Sequence, residues 1–570
     1  MSRIVIDPVT RAGGQLRVEA EVLGGAVTEA WLSGTSFRGL ESVLRGRPAR
    51  DAWLVAQRVC GAATGVHALA SVRAVENALA IEVPRNARLV RNILAATTLV
   101  QEHVINFYLR ELVDWADPVA ATTADPAATS TLARSITDWP SSGSDWYAAA
   151  RDRLAALVRP GAGGPLGGAW SGHPAYRLSP EFALMLYGHY LEALDWQRQL
   201  VRVRTILGGK SPHPQTFLVG GMAIAPEWGG PSVPPEGEHP WRSARHSPPP
   251  LSQQALADMN TLLADAARFI NEAFLPDALT VAAHYPEWQR LGRGIGHYLS
   301  FGEFPIADSL PGQLLLACGR VMDRDLANAR AIDQQSVAES VDHAWYDHDA
   351  MPEALVHPAM GQTRPHYAGP ALPYATLAGF EKYSWIKAPR YADDPMETGA
   401  LARMLVAYGA GDSYVRNAVD GVAFKLDAGI DAMFSTTGRI VARALEAQLV
   451  IARSAGFLRE LVANLAQGDL SLVNLEAWDM ARWPSRASGF GLAEGPGGAV
   501  GHWLTIRDGR IADYQIVDGS TWNGSPRDNR GRPGACEQAL VGTPVADPNR
   551  PLELLRTIHS FALCSACAVH

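Results

Sequence analysis

Leu16, Val18, Ala20 and Val22 alternate with polar neighbours, a Gly24-Gly25 break follows, and Val27 to Leu32 resumes the apolar pattern. A period of two puts one set of side chains on a buried face, so this stretch predicts a β-hairpin. From Ala52 onward the period lengthens. His67 to Ile81 and Leu89 to Trp115 carry apolar residues three and four apart. Leu89, Ile93, Val100, Val104, Phe107 and Leu112 fall close to one helical stripe. Residues 118–145, richer in Ala, Thr, Ser, Asp and Pro, predict a surface excursion. The clearest helix opens at Ser179-Pro180-Glu181, a cap followed by proline, and stops at Gly208-Gly209. Its length of about 29 residues spans ~40 Å at a rise of ~1.5 Å, which suits the core of a bundle. Residues 223–250 are dense in Pro and Gly and predict a long surface loop. Helical patterns return at 251–274 and 396–467. His502 to Val517 predicts a second hairpin, with Asp508-Gly509 at its turn. The sum is an α+β fold in one large domain, residues 1–570: a mainly helical core of long helices with small antiparallel pieces at its edge.

Composition narrows what such a fold does. Hydrophobic residues at 47% and charged residues at 19% provide a large core and exclude a disordered chain. Lys+Arg at 50 against Asp+Glu at 58 leaves −8 with no basic block, which argues against nucleic acid as a partner. No run approaches the ~18 apolar residues of a membrane span. Met-Ser-Arg-Ile-Val-Ile-Asp lacks the apolar centre of a signal peptide, so the expectation is that the chain carries no targeting signal of its own. Five cysteines exclude a disulfide-stapled scaffold, and each needs its own explanation.

Three of the five fall in two short motifs. The chain ends Cys564-Ser565-Ala566-Cys567-Ala568-Val569-His570, which offers soft thiolate and imidazole ligands within one turn of chain. A Cys-x-x-Cys alone leaves a metal site and a pair of buried thiols equally open. A second piece lies near the other end: Arg58-Val59-Cys60-Gly61, then His67-Ala68-Leu69-Ala70-Ser71-Val72-Arg73.

Together these ends resemble the large subunit of the nickel–iron hydrogenases, specifically the membrane-associated uptake group. In that family Arg-x-Cys-Gly-x-Cys near the N-terminus and Cys-x-x-Cys-x-x-His at the mature C-terminus supply four thiolates. The resemblance runs the whole chain, through Asp7-Pro8-Val9-Thr10-Arg11, Phe37-Arg38-Gly39-Leu40-Glu41, His213-Pro214, Ser384-Trp385-Ile386-Lys387, Met396-Glu397-Thr398-Gly399, Arg443-Ala444-Leu445-Glu446 and Trp522-Asn523-Gly524-Ser525-Pro526-Arg527-Asp528. It implies a nickel–iron centre whose iron carries cyanide and carbon monoxide. Cys60 and Cys564 are then terminal nickel ligands and Cys567 a bridging one. Arg527 holds its guanidinium over the metals, and Arg527 and Cys564 are the expected catalytic residues. Glu41 and His570 match the ligands of a magnesium ion, and His67, Glu102 and Asp528 are expected around the centre. Implied partners are an iron–sulfur small subunit, a membrane cytochrome b reached through it, and maturation proteins. Location follows the partner: membrane-associated with it, cytoplasmic if the pair is not exported. A tail ending on His570 matches a mature form or one encoded without an extension.

Three losses and one milder change set this chain apart from the family. Ala63 stands where the second N-terminal cysteine belongs, so one bridging thiolate is missing. Gly13 stands in Arg11-Ala12-Gly13-Gly14 where the family has the glutamate that first accepts a proton. Ala562-Leu563 replaces an Asp-Pro before the terminal cysteines. Glu102 replaces an aspartate, a milder change. Two functions stand. One is a hydrogen-oxidising large subunit; the other is an impaired or non-catalytic relative acting as scaffold, sensor or structural subunit. Cys318 and Cys536 match no ligand position.

Overall fold

The computed structural model describes residues 2–159, 164–168, 170–226, 251–306, 313–348, 355–476 and 478–570. The first hairpin forms from Leu16–Leu23 and Ala26–Gly34, with Val18 opposite Leu32 and Ala20 opposite Ala30. A third strand, Ser2–Ile6, pairs antiparallel to Leu16–Leu23 and was not foreseen. Both faces of the central strand are buried. Arg17 and Glu19 interrupt its apolar alternation, and they bond to each other at 2.9 Å; Glu19 also accepts the Leu377 N–H.

The second hairpin, Gly498–Arg507 and Arg510–Val517, also gains an unforeseen partner, Arg486–Gly495. Gly489 and Gly491 hide that strand from a periodicity reading. A Cβ at Gly491 would meet the Ala70 carbonyl oxygen at 1.9 Å, and one at Gly489 the Ala74 oxygen at 2.5 Å. The strand therefore lies directly on the backbone of the helix Thr64–Leu79, which begins just after Cys60. This contact holds Gly495 to Gly497 beside the cysteine motif.

Long helices surround these sheets. Pro180–Gly208 follows its Ser179 cap and ends at Gly209 in the left-handed region, φ 76°. Thr436–Ala466 packs along Arg85–Ile105, and that helix continues through a π-helical segment, Asn106–Glu111, into Leu112–Trp115. Buried apolar residues of these elements form one cluster reaching from Leu44 to Cys567.

Three stretches differ from expectation. Residues 118–145 are not a surface excursion. Asp117 and Asp125 cap helices Pro118–Ala121 and Pro126–Ile136, which pack on Pro180–Gly208 through small residues such as Ala121 and Ala133. Residues 396–467 form three main helices, Ala400–Ala410, Ser413–Lys425 and Thr436–Ala466, with Gly411 at φ 90° breaking the first. Helix Gln253–Phe269 passes into a second π segment, Ile270–Phe274. The expected loop 223–250 lies outside the described residues from 227 onward. Short strand pairs such as Val337–Ser340 with Ala388–Tyr391 place Lys387 inside the molecule. No helix among the described residues is long and apolar enough to cross a membrane.

Candidate metal centre

Cys60, Cys564 and Cys567 arrive from opposite ends of the chain with ligand atoms all within 4.8 Å of one another. The Cys567 thiol donates to Cys564 Sγ at 2.7 Å, longer than the ~2.05 Å of a disulfide. The Ala63 N–H donates to Cys60 Sγ at 3.1 Å. The sulfurs open onto a cavity of about 50 Å³, room for a few water-sized bodies at ~10–15 Å³ each. Ala63, His67, Glu102, Asp518 and Ala562 line it with the cysteines. Ala63 presents a methyl group, so the cavity holds three thiols where a fourth donor would complete a tetrahedral set.

Backbone contacts fix this arrangement. The Arg38 guanidinium donates to the carbonyls of Arg58 at 2.5 Å, Val59 at 2.6 Å and Ala566 at 2.7 Å, so one side chain ties both cysteine motifs together. Gly13 forms a parallel bridge with Cys564, and its carbonyl accepts the Ala566 N–H at 3.0 Å. A Cβ at Gly13 would meet Cys564 Sγ at 2.8 Å. At Gly14, φ 86°, a Cβ would meet the Ala566 nitrogen at 2.4 Å. Only glycine fits the second position, where conformation and space both exclude a side chain. Ser520 Oγ accepts the Cys564 N–H at 3.1 Å, and Ala562 adopts φ 52°.

The thiols do not titrate alike. Hydrogen bonds from Cys567 and Cys60 hold Cys564 well below the ordinary thiol range, so Cys564 is the sulfur most disposed to be thiolate. Its bond to Cys564, together with burial, pushes Cys60 up to about 12. Burial raises Glu102, opposed by the charges of Arg110 at 3.6 Å and of Arg204. Burial also acts to raise Asp518, but the hydrogen bond and charge of His67 outweigh it and hold that carboxyl low.

Glu41 and His570 meet in a second cluster, 3.4 Å apart. Lys387 Nζ lies 3.0 Å from Glu41, 3.1 Å from Glu339 and 3.2 Å from the Gln515 side-chain oxygen. Burial would raise Glu41, yet the Lys387 charge, then His570, bring it down to about 2. His570 Nε2 and Glu339 Oε1 have no hydrogen-bond partner although both are buried. Two carboxylates against one ammonium, with the His570 Nε2 making no hydrogen bond and lying 3.4 Å from Glu41, form a donor set that fits a hard cation.

The family described as nickel-dependent hydrogenase matches residues 38–570. The chain belongs to that family. The Hydrogenase-1 large chain of Citrobacter freundii is 42% identical over 583 residues, covering 100% of this chain and 95% of the relative. The uptake hydrogenase large subunit of Rhizobium leguminosarum bv. viciae is 39% identical with the same coverage. Among solved structures, the reduced Ni-Fe-Se hydrogenase of Desulfovibrio vulgaris Hildenborough superposes with a TM-score of 0.76 at 28% identity, covering 100% of both chains. This hydrogenase large subunit thus shares the fold of its relatives from end to end.

Two residues expected at the hydrogenase centre are elsewhere. Arg527 donates to Glu29 at 2.8 Å and stacks over Trp31 at 4.8 Å, while its N–H donates to Tyr383. It does not line the cavity. Asp528 pairs with buried Arg390 at 2.8 Å and with Arg532, shaping the 524–532 turn. Asp518, ten residues earlier, lines the cavity instead. Its signal was available: Asp518-Gly519-Ser520-Thr521 is a capping sequence directly after the last strand, which places a carboxylate at the strand's inner end. Asn106, Arg110 and Gly497 also line the cavity, and nothing in their local sequence marked them.

Proposed function

We propose that this large subunit holds its nickel–iron centre through three thiolates, Cys60, Cys564 and Cys567, and serves hydrogen oxidation with an iron–sulfur small subunit as electron acceptor. The observation that carries the reading is the buried convergence of these sulfurs, two from the last seven residues and one from the first motif. Cys318 is exposed and Cys536 is fully buried among aliphatic residues, so the chain has no second thiol cluster among its described residues for electron transfer. A nickel–iron pair with cyanide and carbon monoxide on iron supplies heterolytic cleavage of dihydrogen. Cys564, already the most acidic thiol, is placed to hold metal or receive a proton. Glu102 is a carboxyl on the cavity wall whose raised affinity for protons suits an acceptor. Gly13 offers no such group. Glu41, His570 and Glu339 are the proposed magnesium ligands, tying the tail to the helix Leu40–Leu44. Attachment to a membrane cytochrome b and insertion of the metals by maturation proteins follow from the same reading.

The uptake hydrogenase names of the relatives support hydrogen oxidation, and Ala63 bears on its rate. The test is hydrogen-dependent dye reduction by the chain co-expressed with its small subunit, compared with Cys564→Ser. Reduction that the substitution abolishes supports the reading. Equal rates in both proteins would contradict it.

A further inference from the structure

Oxidisable aromatic side chains gather beside the tail, around a residue of the Ser384–Lys387 motif that the metal chemistry leaves unused. Trp385 lies at their centre. The Tyr367 ring stacks on it at 6.0 Å and 26°. The rings of Trp345 at 5.5 Å, Tyr346 at 5.4 Å and Phe37 at 4.7 Å meet it at steeper angles. Tyr367 also touches Trp345, with ring centres 4.9 Å apart. Every spacing falls within the roughly 4.5–7 Å of aromatic rings in contact. Exposure rises along the group, from 0% at Trp345 to 43% at Tyr367.

Backbone bonds hold the rings in place. The Trp345 N–H donates to the Ser384 carbonyl at 2.8 Å, and the Trp345 carbonyl accepts the His366 N–H at 2.9 Å, so one residue stitches the chain before Trp385 to the chain before Tyr367. The Trp385 N–H donates to the Gly34 carbonyl at 2.9 Å. Gly34 lies against Val569, which anchors Trp385 to the strand on which the tail rests. Phe37 precedes Arg38, whose guanidinium binds both cysteine motifs. Gly369 closes the outer end. A Cβ there would meet the Tyr367 oxygen at 2.7 Å and the Trp345 ring at 2.9 Å, so the contact between those two rings depends on glycine.

We propose that Trp385, Trp345 and Tyr367 form a path that carries one-electron oxidising equivalents from the tail side of the thiol cavity to the surface, where Tyr367 holds them as a phenoxyl radical. The direction comes from where each ring can lose a proton. A radical oxidant, oxygen-derived or added, takes one electron from Trp385 and is reduced. Trp345 Nε1 donates to the Lys382 carbonyl at 3.1 Å, and a carbonyl is no base. Trp345 therefore keeps its proton when oxidised and is readily refilled, which makes it a relay and not an end point. The Tyr367 hydroxyl donates to the Pro370 carbonyl on an exposed turn, where water takes the proton as the electron leaves. A phenol that releases its proton to water at neutral pH is easier to oxidise than an indole, so the equivalent settles on Tyr367. The balance closes: the oxidant has gained one electron, Trp385 is restored, and Tyr367 has lost one electron and one proton. Ascorbate in solution returns both and restores the phenol.

The test needs no metal and no turnover, so its failure leaves the metal reading untouched. The full chain is oxidised at neutral pH with azide radicals, which take electrons from indoles faster than from phenols, with fewer radicals than protein molecules. A nitroso spin trap tags phenoxyl radicals, and peptide mass spectrometry locates the tags and the oxidised tryptophans. The unmodified chain is expected to carry a tag on Tyr367. Trp385→Phe is expected to lose most of that tag, and Tyr367→Phe to accumulate oxidised Trp385 in its place. If Trp385→Phe fails to fold, Tyr367→Phe decides alone, because it trims one oxygen from an exposed ring. No tag on Tyr367 in the unmodified chain, equal tagging in Trp385→Phe, or no rise of oxidised Trp385 in Tyr367→Phe would overturn the proposal.

Discussion

Removal of Val569 and His570 tests whether the tail locks the centre shut. Val569 is fully buried against Gly34 and Ile386, in the cluster that carries the first sheet. Loss of such a side chain forfeits about 1.5–3 kcal/mol. His570 Nδ1 lies 2.8 Å from the Cys567 carbonyl, a hydrogen bond worth about 0.5–1.5 kcal/mol. The sum is roughly 2–4.5 kcal/mol, or about a 30- to 1,500-fold rise in opening of the tail, since ~1.4 kcal/mol is tenfold. A chain of 570 residues need not unfold in one step, so a melting temperature would blur this local effect. Hydrogen exchange of the peptide spanning Leu552 to Cys567 reports it directly. Exchange there is expected to accelerate by about that factor, with little change in the helix Pro180–Gly208, and nickel content is expected to fall. Unchanged protection together with unchanged nickel would refute the clamp.

Three further outcomes follow from buried groups. Lys387→Met removes the one ammonium shared by Glu41 and Glu339, leaving Glu339 without a charged partner and Glu41 with His570 alone, a local cost of about 3–5 kcal/mol that lowers the denaturant midpoint and that added magnesium should partly recover; an unaltered midpoint counts against the cluster. Burial raises Glu537 from the ordinary 4.5 to about 7, the charge of Arg527 notwithstanding, so its contribution is full below 4.5 and is lost as pH rises through about 7. Glu537→Gln should remove roughly 3 kcal/mol of the stability difference between low and neutral pH, and denaturant midpoints at pH 4.5 and 8 that shift as in the parent would contradict this. Gly13→Ala forces its new carbon to within 2.8 Å of Cys564 Sγ and should weaken nickel retention, as measured by metal analysis of the purified chain. Full retention would mean that the sulfur moves aside freely.

What the sequence disclosed depended on whether the signal was local. Both hairpins and the helix from Ser179 to Gly209 were legible because period, cap and stop lie within the element. The strand Arg486–Gly495 was not, because Gly489 and Gly491 answer to the backbone of a helix more than 400 residues earlier. Small residues misled in the same way at 118–136, where alanine marks close helix packing rather than exposure. At the site, the cysteines and the Glu41–His570 pair were readable from motifs that keep their spacing. Arg527 was misplaced because a matching motif says nothing about which way a side chain turns; here Glu29 and Trp31 take the guanidinium.

The central claim is a metal held by Cys60, Cys564 and Cys567 with Ala63 leaving one donor position unfilled. Nickel-edge X-ray absorption counts the sulfurs directly, on the nickel-loaded chain and on Ala63→Cys. The account predicts three sulfur neighbours in the unmodified protein and four in the variant. Fewer than three in the first, or no gain in the second, would contradict it.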